Sequence, residues 1–124
     1  MTKKISEHEI QKEYFSILKF SENKHPVIPY IFSIPNGGAR HIKVAMKMKA
    51  EGVKRGVPDI FIPYVVNGYG GAWIETKTDT GVMSQHQKDY KKFLESQYKH
   101  YLCRSVSEMI EATENYLQIK LTAQ

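Results

Sequence analysis

Apolar residues recur at helical spacing close to the start of the chain. The pattern predicts a helix that begins after Ser6 and ends near Ser21. Glu9 stands three positions after Ser6, which is the spacing of a capping box. The predicted apolar stripe consists of Ile10, Tyr14, Ile17 and Leu18. This stripe gives the first helix one face that can enter a hydrophobic core.

Four further segments favour β-structure because they are rich in β-branched and aromatic residues. Residues 27–34 form the first, and the three prolines in and beside it predict a strand at the edge of a sheet. Residues 57–65 and 72–78 flank the glycine-rich connector 67–71, so they are predicted to pair as a hairpin. Residues 101–104 are predicted to form a short fourth strand.

Three more helices are predicted between and after these strands. The first is basic, runs from Arg40 to Glu51 and ends at a glycine. Two others follow Ser84 and Ser105, which are each placed to cap a helix. Their predicted apolar faces are Tyr90, Phe93, Leu94 and Tyr98 in one, and Met109, Ile110, Thr113, Tyr116 and Leu117 in the other. Helices around a small mixed sheet of about four strands indicate an α/β or α+β fold.

Length and composition limit the classes of protein that remain. A chain of 124 residues fits one domain, predicted to span 1–124 with its core at about 6–119. The net charge of +5 favours polyanionic partners such as nucleic acid or an anionic membrane. No secretory signal is apparent, and the longest apolar run, 60–66, is too short to span a bilayer. The single cysteine, Cys103, excludes an intramolecular disulfide and fits a cytoplasmic location.

Candidate chemistry lies on the predicted hairpin. Asp59 follows a proline on one strand, and Glu75 and Lys77 occur on the next. Residues two apart in a strand share a face, so Glu75 and Lys77 point the same way as Trp73. Two carboxylates from adjacent strands can reach one hard divalent cation, with an ammonium beside it for a phosphate. The alternative is a surface salt bridge between Glu75 and Lys77.

Four blocks of the sequence together resemble the VRR-NUC family, the virus-type replication and repair nucleases of the PD-(D/E)xK superfamily. The resemblance runs from about Glu7 to Leu117 and rests on Gly-x-Pro-Asp, Glu-x-Lys and Ser-x-x-Gln motifs in the family's order. The blocks are residues 34–40, 49–62, 73–77 and 84–87. The resemblance implies a restriction-endonuclease-like core and a stand-alone member such as bacteriophages encode, which would act in the host cytoplasm.

The resemblance also implies roles for individual residues. It assigns Asp59 and Glu75 as ligands of Mg²⁺ or Mn²⁺, the backbone carbonyl of Thr76 as a further ligand, and Lys77 as the catalytic lysine. Gln87 matches a glutamine of the family site. Its position also fits a capping box with the preceding serine, so both roles are open.

The family places one more acidic residue near the metal, on the first helix. Glu7 and Glu9 both qualify. Glu7 lies on the same face as the apolar stripe, whereas Glu9 points away from it and has the capping role. Glu7 is therefore the predicted ligand, and an ordinary acidic residue at a helix N-terminus is the alternative.

Predicted nucleic-acid contacts lie between the two halves of the site. Glycines and a helix N-terminus favour a phosphate oxygen, and downstream cations would neutralise a DNA backbone. A plain turn and a solvated helix face are the alternatives. The predicted contact residues are Asn36, Gly37, Gly38, Arg40, Lys43, Lys54 and Arg55.

We therefore expect a Mg²⁺- or Mn²⁺-dependent DNA endonuclease. The resemblance implies branched DNA, such as a Holliday junction or flap, as substrate, and a two-fold junction would suit a homodimer. The second hypothesis is a nucleic-acid-binding module without catalysis. A small-molecule phosphate enzyme is a third, and it has only the short glycine pair in its favour.

Overall fold

A computed structural model describes residues 5–35 and 42–121 of the chain. Within these residues, four α-helices and four strands follow one another in the predicted order. They are α1 (Glu7–Phe20), β1 (Phe32–Ser33), α2 (Ile42–Ala50), β2 (Ile60–Ile62), β3 (Ala72–Thr76), α3 (Gln85–Leu94), β4 (Lys99–Cys103) and α4 (Val106–Leu117), with short 3₁₀ helices at Glu22–Lys24 and Ile28–Tyr30. None of the helices in this part of the chain combines the length and apolar character that crossing a bilayer requires.

The four strands form one mixed sheet in the order β1-β2-β3-β4. The first three are antiparallel neighbours, whereas β3 and β4 run parallel because α3 makes the crossover between them. The hairpin between β2 and β3 turns at Asn67 and Gly68, whose φ angles are 48° and 86°. Two successive positive φ angles are typical of a type I′ turn. The predicted hairpin is therefore confirmed.

One face of the sheet carries the hydrophobic core. Helices α1 and α4 pack on it, and the hydroxyls of Tyr14 and Thr113 join the two helices through a hydrogen bond of 2.7 Å. The capping box of Ser6 and Glu9 begins α1 as predicted. The strand and helix residues buried in this core include Ile10, Leu18, Ile60, Ile62, Ala72, Ile74, Cys103, Met109, Ile110, Tyr116 and Leu117.

The opposite face carries an aromatic row. Phe32, Phe61 and Trp73 are partners across β1, β2 and β3, and Tyr98 contacts the last two rings edge-on. The centroids of the Phe61 and Trp73 rings are 4.4 Å apart. The row lies two residues along the strands from Asp59 and Glu75, so it adjoins the carboxylates of the candidate site.

Three predictions about these elements are wrong in detail. The strand predicted at 27–34 is reduced to β1, because Ile28–Tyr30 form a 3₁₀ helix instead, with Pro29 in its first turn. The strand predicted at 57–65 is only β2, since the next residue, Pro63, has no N–H with which to continue the pairing. Phe93 is predicted to lie on the apolar face of α3, yet it is 72% exposed, because the partly buried stripe of α3 runs along Gln87, Tyr90, Lys91 and Leu94 instead.

Candidate active site

Asp59 and Glu75 lie beside each other where the pairing of β2 and β3 ends, and the charge of Asp59 acts on the Glu75 carboxyl. Ile60 pairs with Ile74, and the N–H of the preceding residue, Asp59, also donates to the Ile74 carbonyl over 3.1 Å. Asp59 is therefore still bonded to β3, although it lies outside the regular register. Asp59 Oδ2 also accepts the N–H of Thr76 over 2.7 Å. The backbone of β3 therefore fixes the orientation of the Asp59 carboxylate.

Glu75 is an almost completely buried acid. Its side chain is 1% exposed, and its Oε2 accepts a hydrogen bond of 3.1 Å from Gln87 Nε2. Its Oε1 is also buried, and among the described residues no group donates to it. A buried carboxylate oxygen without a donor is unfavourable unless a proton or a cation takes that place. Glu75 therefore has one oxygen ready for a positively charged partner.

The environment of Glu75 raises the pKa of its carboxyl well above the ordinary value of 4.5. Burial is the largest cause, followed by the charge of Asp59 and a hydrogen bond with it. Lys77 lowers this pKa, and Glu7 raises it slightly. The raised pKa therefore favours the protonated form of Glu75 beside Asp59 when no other cation is bound. Asp59, Lys77 and Glu7 therefore each act electrostatically on Glu75.

Gln87 forms the capping box and also contacts Glu75, so its position is compatible with both of the roles that the sequence leaves open. Its Oε1 accepts from the Ser84 N–H over 2.8 Å, and its own N–H donates to Ser84 Oγ, which completes the capping box of α3. Because the carbonyl end is engaged there, the amide NH₂ points toward Glu75. The start of α3 is thus attached directly to the buried carboxylate.

Lys77 follows the last residue of β3 on the same side as Glu75. Its N–H donates to the Cys103 carbonyl over 2.9 Å, so its backbone stays attached to β4 beyond the end of the strand. Its side chain is half-buried, and its charge lowers the pKa of Glu75. The ammonium group therefore lies close enough to Glu75 to act on its charge.

The donor set of this site fits a hard divalent cation. Oxygen ligands are what Mg²⁺ and Mn²⁺ prefer, and Mg²⁺ commonly uses one or two carboxylates and keeps several waters. Within the described residues, no group of three or more His, Cys, Asp or Glu side chains could hold a metal. Exposed Glu7 therefore does not complete a three-carboxylate group. Thr76 is beside Asp59, as its N–H contact shows.

Comparison with known proteins identifies the domain. Residues 5–107 match the family described as the VRR-NUC domain. The chain belongs to the VRR-NUC family. It is also similar to a solved "VRR_NUC domain protein", with 25% sequence identity, a TM-score of 0.74 and coverage of 97% of this chain and 93% of that chain. No curated protein matches the chain in sequence.

Membership of the VRR-NUC family has two direct consequences. The predicted fold, a mixed α and β domain with a PD-(D/E)xK-like core, is confirmed. The family is a family of nucleases, so the domain has a nuclease function and DNA is its class of substrate.

The predicted DNA contacts of this VRR-NUC domain divide into two groups. Lys43, on α2, and Lys54 and Arg55, in the loop before β2, have exposed side chains. Asn36, Gly37, Gly38 and Arg40 lie outside the described residues. The exposed cations precede Asp59 along the chain, and a phosphate backbone would need neutralising there.

Gly56 has a packing role that sequence reasoning missed. It adopts φ +85°, and a Cβ at this position would lie 2.5 Å from the backbone carbonyl carbon of His86 and 2.8 Å from the backbone nitrogen of Gln87. The loop that carries Lys54 and Arg55 therefore lies directly against the first turn of α3. The only signal was the glycine of the Gly-x-Pro-Asp block, which does not reveal the element that approaches it.

Proposed function

We propose that this VRR-NUC domain is a Mg²⁺- or Mn²⁺-dependent DNA endonuclease with Asp59, Glu75 and Lys77 at its catalytic centre. One observation carries the proposal. Two carboxyl groups meet at a point where Glu75 Oε1 has no hydrogen-bond donor among the described residues. Groups that only accept hydrogen bonds need a proton or a cation between them, and oxygen donors favour a hard divalent ion.

Each residue of the proposed site would have a separate chemical role. Asp59, Glu75 and the carbonyl of Thr76 would hold the cation. When bound, it would screen the phosphate charge and make a nearby water more acidic. Lys77 would stabilise the negative charge that develops on the phosphate in the transition state. The Thr76 N–H and the Gln87 amide keep the two carboxylates from rotating, and this fixes where their oxygens point.

We propose branched DNA, such as a four-way junction or a flap, as the substrate within this class. The support is the resemblance to stand-alone family members together with exposed cations that can grip a backbone without reading bases. Lys54 and Arg55 belong to a loop that Gly56 packs against α3, and α3 also carries Gln87. A phosphate bound by this loop would therefore be close to the carboxylates.

We also propose that the domain acts on such a junction as a homodimer. A four-way junction has two-fold symmetry, and its resolution requires two cuts that a symmetric dimer can make. Light scattering coupled to size exclusion tests this point. A mass equal to one chain of 14.3 kDa at micromolar concentration, with or without junction DNA, would contradict it.

The deciding experiment compares labelled four-way junction, flap, duplex and single-stranded DNA in Mg²⁺, Mn²⁺, Ca²⁺ or EDTA. The wild type is expected to cut in Mg²⁺ or Mn²⁺ and to prefer a branched substrate. Asp59→Asn is the most conservative test of the metal ligand, because an asparagine oxygen still accepts the Thr76 N–H but lacks the negative charge. Asp59→Asn and Lys77→Ala should bind DNA normally and cut at least about 100-fold more slowly.

Two results would contradict the proposal. Binding without cutting in every metal would favour a nucleic-acid-binding module without catalysis. Cutting that survives EDTA would remove the role of the cation.

Salt titration tests the basic surface separately. The slope of log DNA affinity against log salt concentration becomes less steep by roughly 0.9 for each phosphate that the protein no longer binds. Lys54→Gln with Arg55→Gln should reduce that slope.

A further inference from the structure

Arg104 holds the loop that follows Lys77. It comes directly after β4, and its side chain is half-buried. Its Nη1 donates to the Thr78 carbonyl and to the Gly81 carbonyl, each over 2.7 Å, with a longer contact of 3.3 Å to the Asp79 carbonyl. One nitrogen of one side chain thus gathers the carbonyl oxygens of most of a four-residue loop.

This loop is in contact with the side chain of Lys77. A Cβ built on Gly81 would lie 3.4 Å from Lys77 Cδ and 3.3 Å from Thr78 Oγ1. Gly81 therefore forms part of the surface on which the aliphatic stem of Lys77 rests. The loop leads on to Ser84, the N-cap of α3. Its shape determines both where the Lys77 stem lies and where α3 begins.

The backbone around Arg104 is itself bonded to two neighbouring elements. Its N–H donates to Glu108 Oε1 over 2.8 Å, which connects it to the first turn of α4. The residue before it, Cys103, is buried in the core and accepts the Lys77 N–H. The guanidinium therefore projects from a segment of backbone that is bonded to Lys77 on one side and to α4 on the other. A planar, permanently charged donor with a fixed geometry suits a cluster of carbonyl oxygens better than an ammonium does.

We propose that Arg104 is a positioning residue that holds residues 78–81 so that the ammonium of Lys77 is directed at the pair of Asp59 and Glu75. The inference rests on the proposed function, because it takes Lys77 to act on the phosphate. Arg104 reaches the reaction through Lys77 and the loop, and its guanidinium is engaged with backbone carbonyls.

A double-mutant cycle between Arg104 and Lys77 tests this inference. Arg104→Met keeps most of the side-chain stem and removes the donors, and Lys19→Met, on an exposed part of α1, is the matched control. Single-turnover cleavage by Arg104→Met should be about 10- to 100-fold slower, with the concentration for half-maximal rate changed less than about threefold. In the Lys77→Met background, the same change should slow cleavage less than about twofold.

A merely structural role predicts a different outcome. An equal loss in both backgrounds, or a wild-type rate in Arg104→Met, would overturn the proposal. Arg104→Lys serves if the methionine variant does not fold. It should recover part of the rate, because an ammonium keeps the charge but not the planar geometry.

Hydrogen exchange separates this inference from the proposed function. In Arg104→Met, the amides of residues 77–83 should exchange faster, while those of α1 and α4 keep the wild-type protection. If the wild type cuts none of the DNAs, the proposed function fails, and hydrogen exchange alone then tests whether Arg104 holds the loop in place. Unchanged exchange at residues 77–83 would overturn the role of Arg104 whatever the cleavage results are.

Discussion

A hydrogen bond of 3.1 Å from Gln87 Nε2 to Glu75 Oε2 joins the first turn of α3 to the central strand of the sheet. The other end of the same amide caps its own helix through Ser84. A single side chain therefore sets the start of a helix and the orientation of a buried carboxylate. The two functions of Gln87 can be separated by substitution, since only one of them needs the NH₂ group.

Gln87→Glu should slow DNA cleavage while it preserves the cap of α3. Glutamate still accepts the Ser84 N–H in a capping box, but it has no donor for Glu75 and adds a negative charge beside it. Partners that orient metal ligands are worth about 10- to 100-fold in activity. Single-turnover cleavage measures the effect. Gln87→Ala is the companion variant, which should lose the rate and also about 1 kcal/mol of stability.

Wild-type cleavage by Gln87→Glu would mean that Glu75 needs no donor from α3. A drop in melting temperature that is the same at pH 8 and at pH 4 would instead show that the cap tolerates no change, because repulsion between the carboxylates disappears once they are protonated. These two results are distinguishable, because the first concerns rate alone and the second is visible without DNA.

Local patterns predicted the parts of the site that depend on them. The period of two in a strand placed Glu75 and Lys77 on one side, and the glycine-rich connector predicted the hairpin that brings Asp59 beside Glu75. The capping spacing of Ser84 and Gln87 located the start of α3. Each of these signals lies within a few residues of the group that it positions.

Contacts between distant segments left no such signal. Arg104 binds carbonyl oxygens 23 to 26 residues earlier, and any residue type supplies such an acceptor. Gly56 approaches the start of α3, which follows it by about thirty residues. At Phe93 a local signal was present but misleading. Its helical spacing predicted a buried side chain, whereas the packing of α3 in the fold leaves it exposed.

Glu75→Gln should raise the melting temperature of the metal-free protein at pH 8. The pKa of Glu75 is raised in the folded state, so the stability that its proton contributes is complete below pH 4.5 and is lost as pH rises through the folded pKa. A glutamine amide can donate to Asp59 at every pH, as the proton does. About 1 kcal/mol would shift the melting temperature by roughly 4 °C.

The control for Glu75→Gln is Glu13→Gln, an exposed position of α1. Melting is recorded by circular dichroism from pH 5 to pH 9 in EDTA, and again with Mg²⁺. Mg²⁺ should stabilise the wild type but not Glu75→Gln, because a ligand stabilises only the state that binds it. A lower melting temperature for Glu75→Gln than for the wild type at pH 8 would contradict the assigned pKa direction.

Gly56→Ala should impair both folding stability and cleavage, whereas Gly68→Ala should affect stability only. The two glycines have nearly the same φ, +85° and +86°, so the backbone strain is matched. A Cβ at Gly68 meets nothing within 4 Å, but one at Gly56 overlaps the backbone of His86 and Gln87. Strain alone costs about 1–3 kcal/mol, and only Gly56→Ala also displaces Gln87 from Glu75.

Thermal melting and single-turnover cleavage of the two alanine variants give the comparison. Cleavage by Gly68→Ala should stay within about twofold of wild type, and Gly56→Ala should lose about tenfold or more. Equal rates in the two variants would show that the loop before β2 and the start of α3 move independently. The coupling between the basic loop and the carboxylate site would then be absent.

His100 should make the protein lose stability on acidification. Burial is the main cause that lowers its pKa from 6.5 to about 4, Lys91 lowers it further, and Glu95 acts in the opposite direction. Both ring nitrogens are buried, and neither has a hydrogen-bond partner among the described residues. The unfolded chain therefore takes up a proton that the folded protein excludes. The contribution of neutral His100 to stability is present above pH 6.5 and is lost progressively as pH falls toward 4.

His100→Gln removes that proton uptake, so its free energy of unfolding should fall less steeply between pH 6.5 and 4.5 than that of the wild type. The exposed His8 provides the matched control, and His8→Gln should reproduce the wild-type slope. Urea denaturation at a series of pH values in EDTA measures both slopes. Because Glu75 contributes a slope of opposite sign in every variant, the difference between variants isolates His100. If the free energy of unfolding had the same pH dependence in wild type and His100→Gln, His100 would take up its proton in the folded protein as readily as in the unfolded chain.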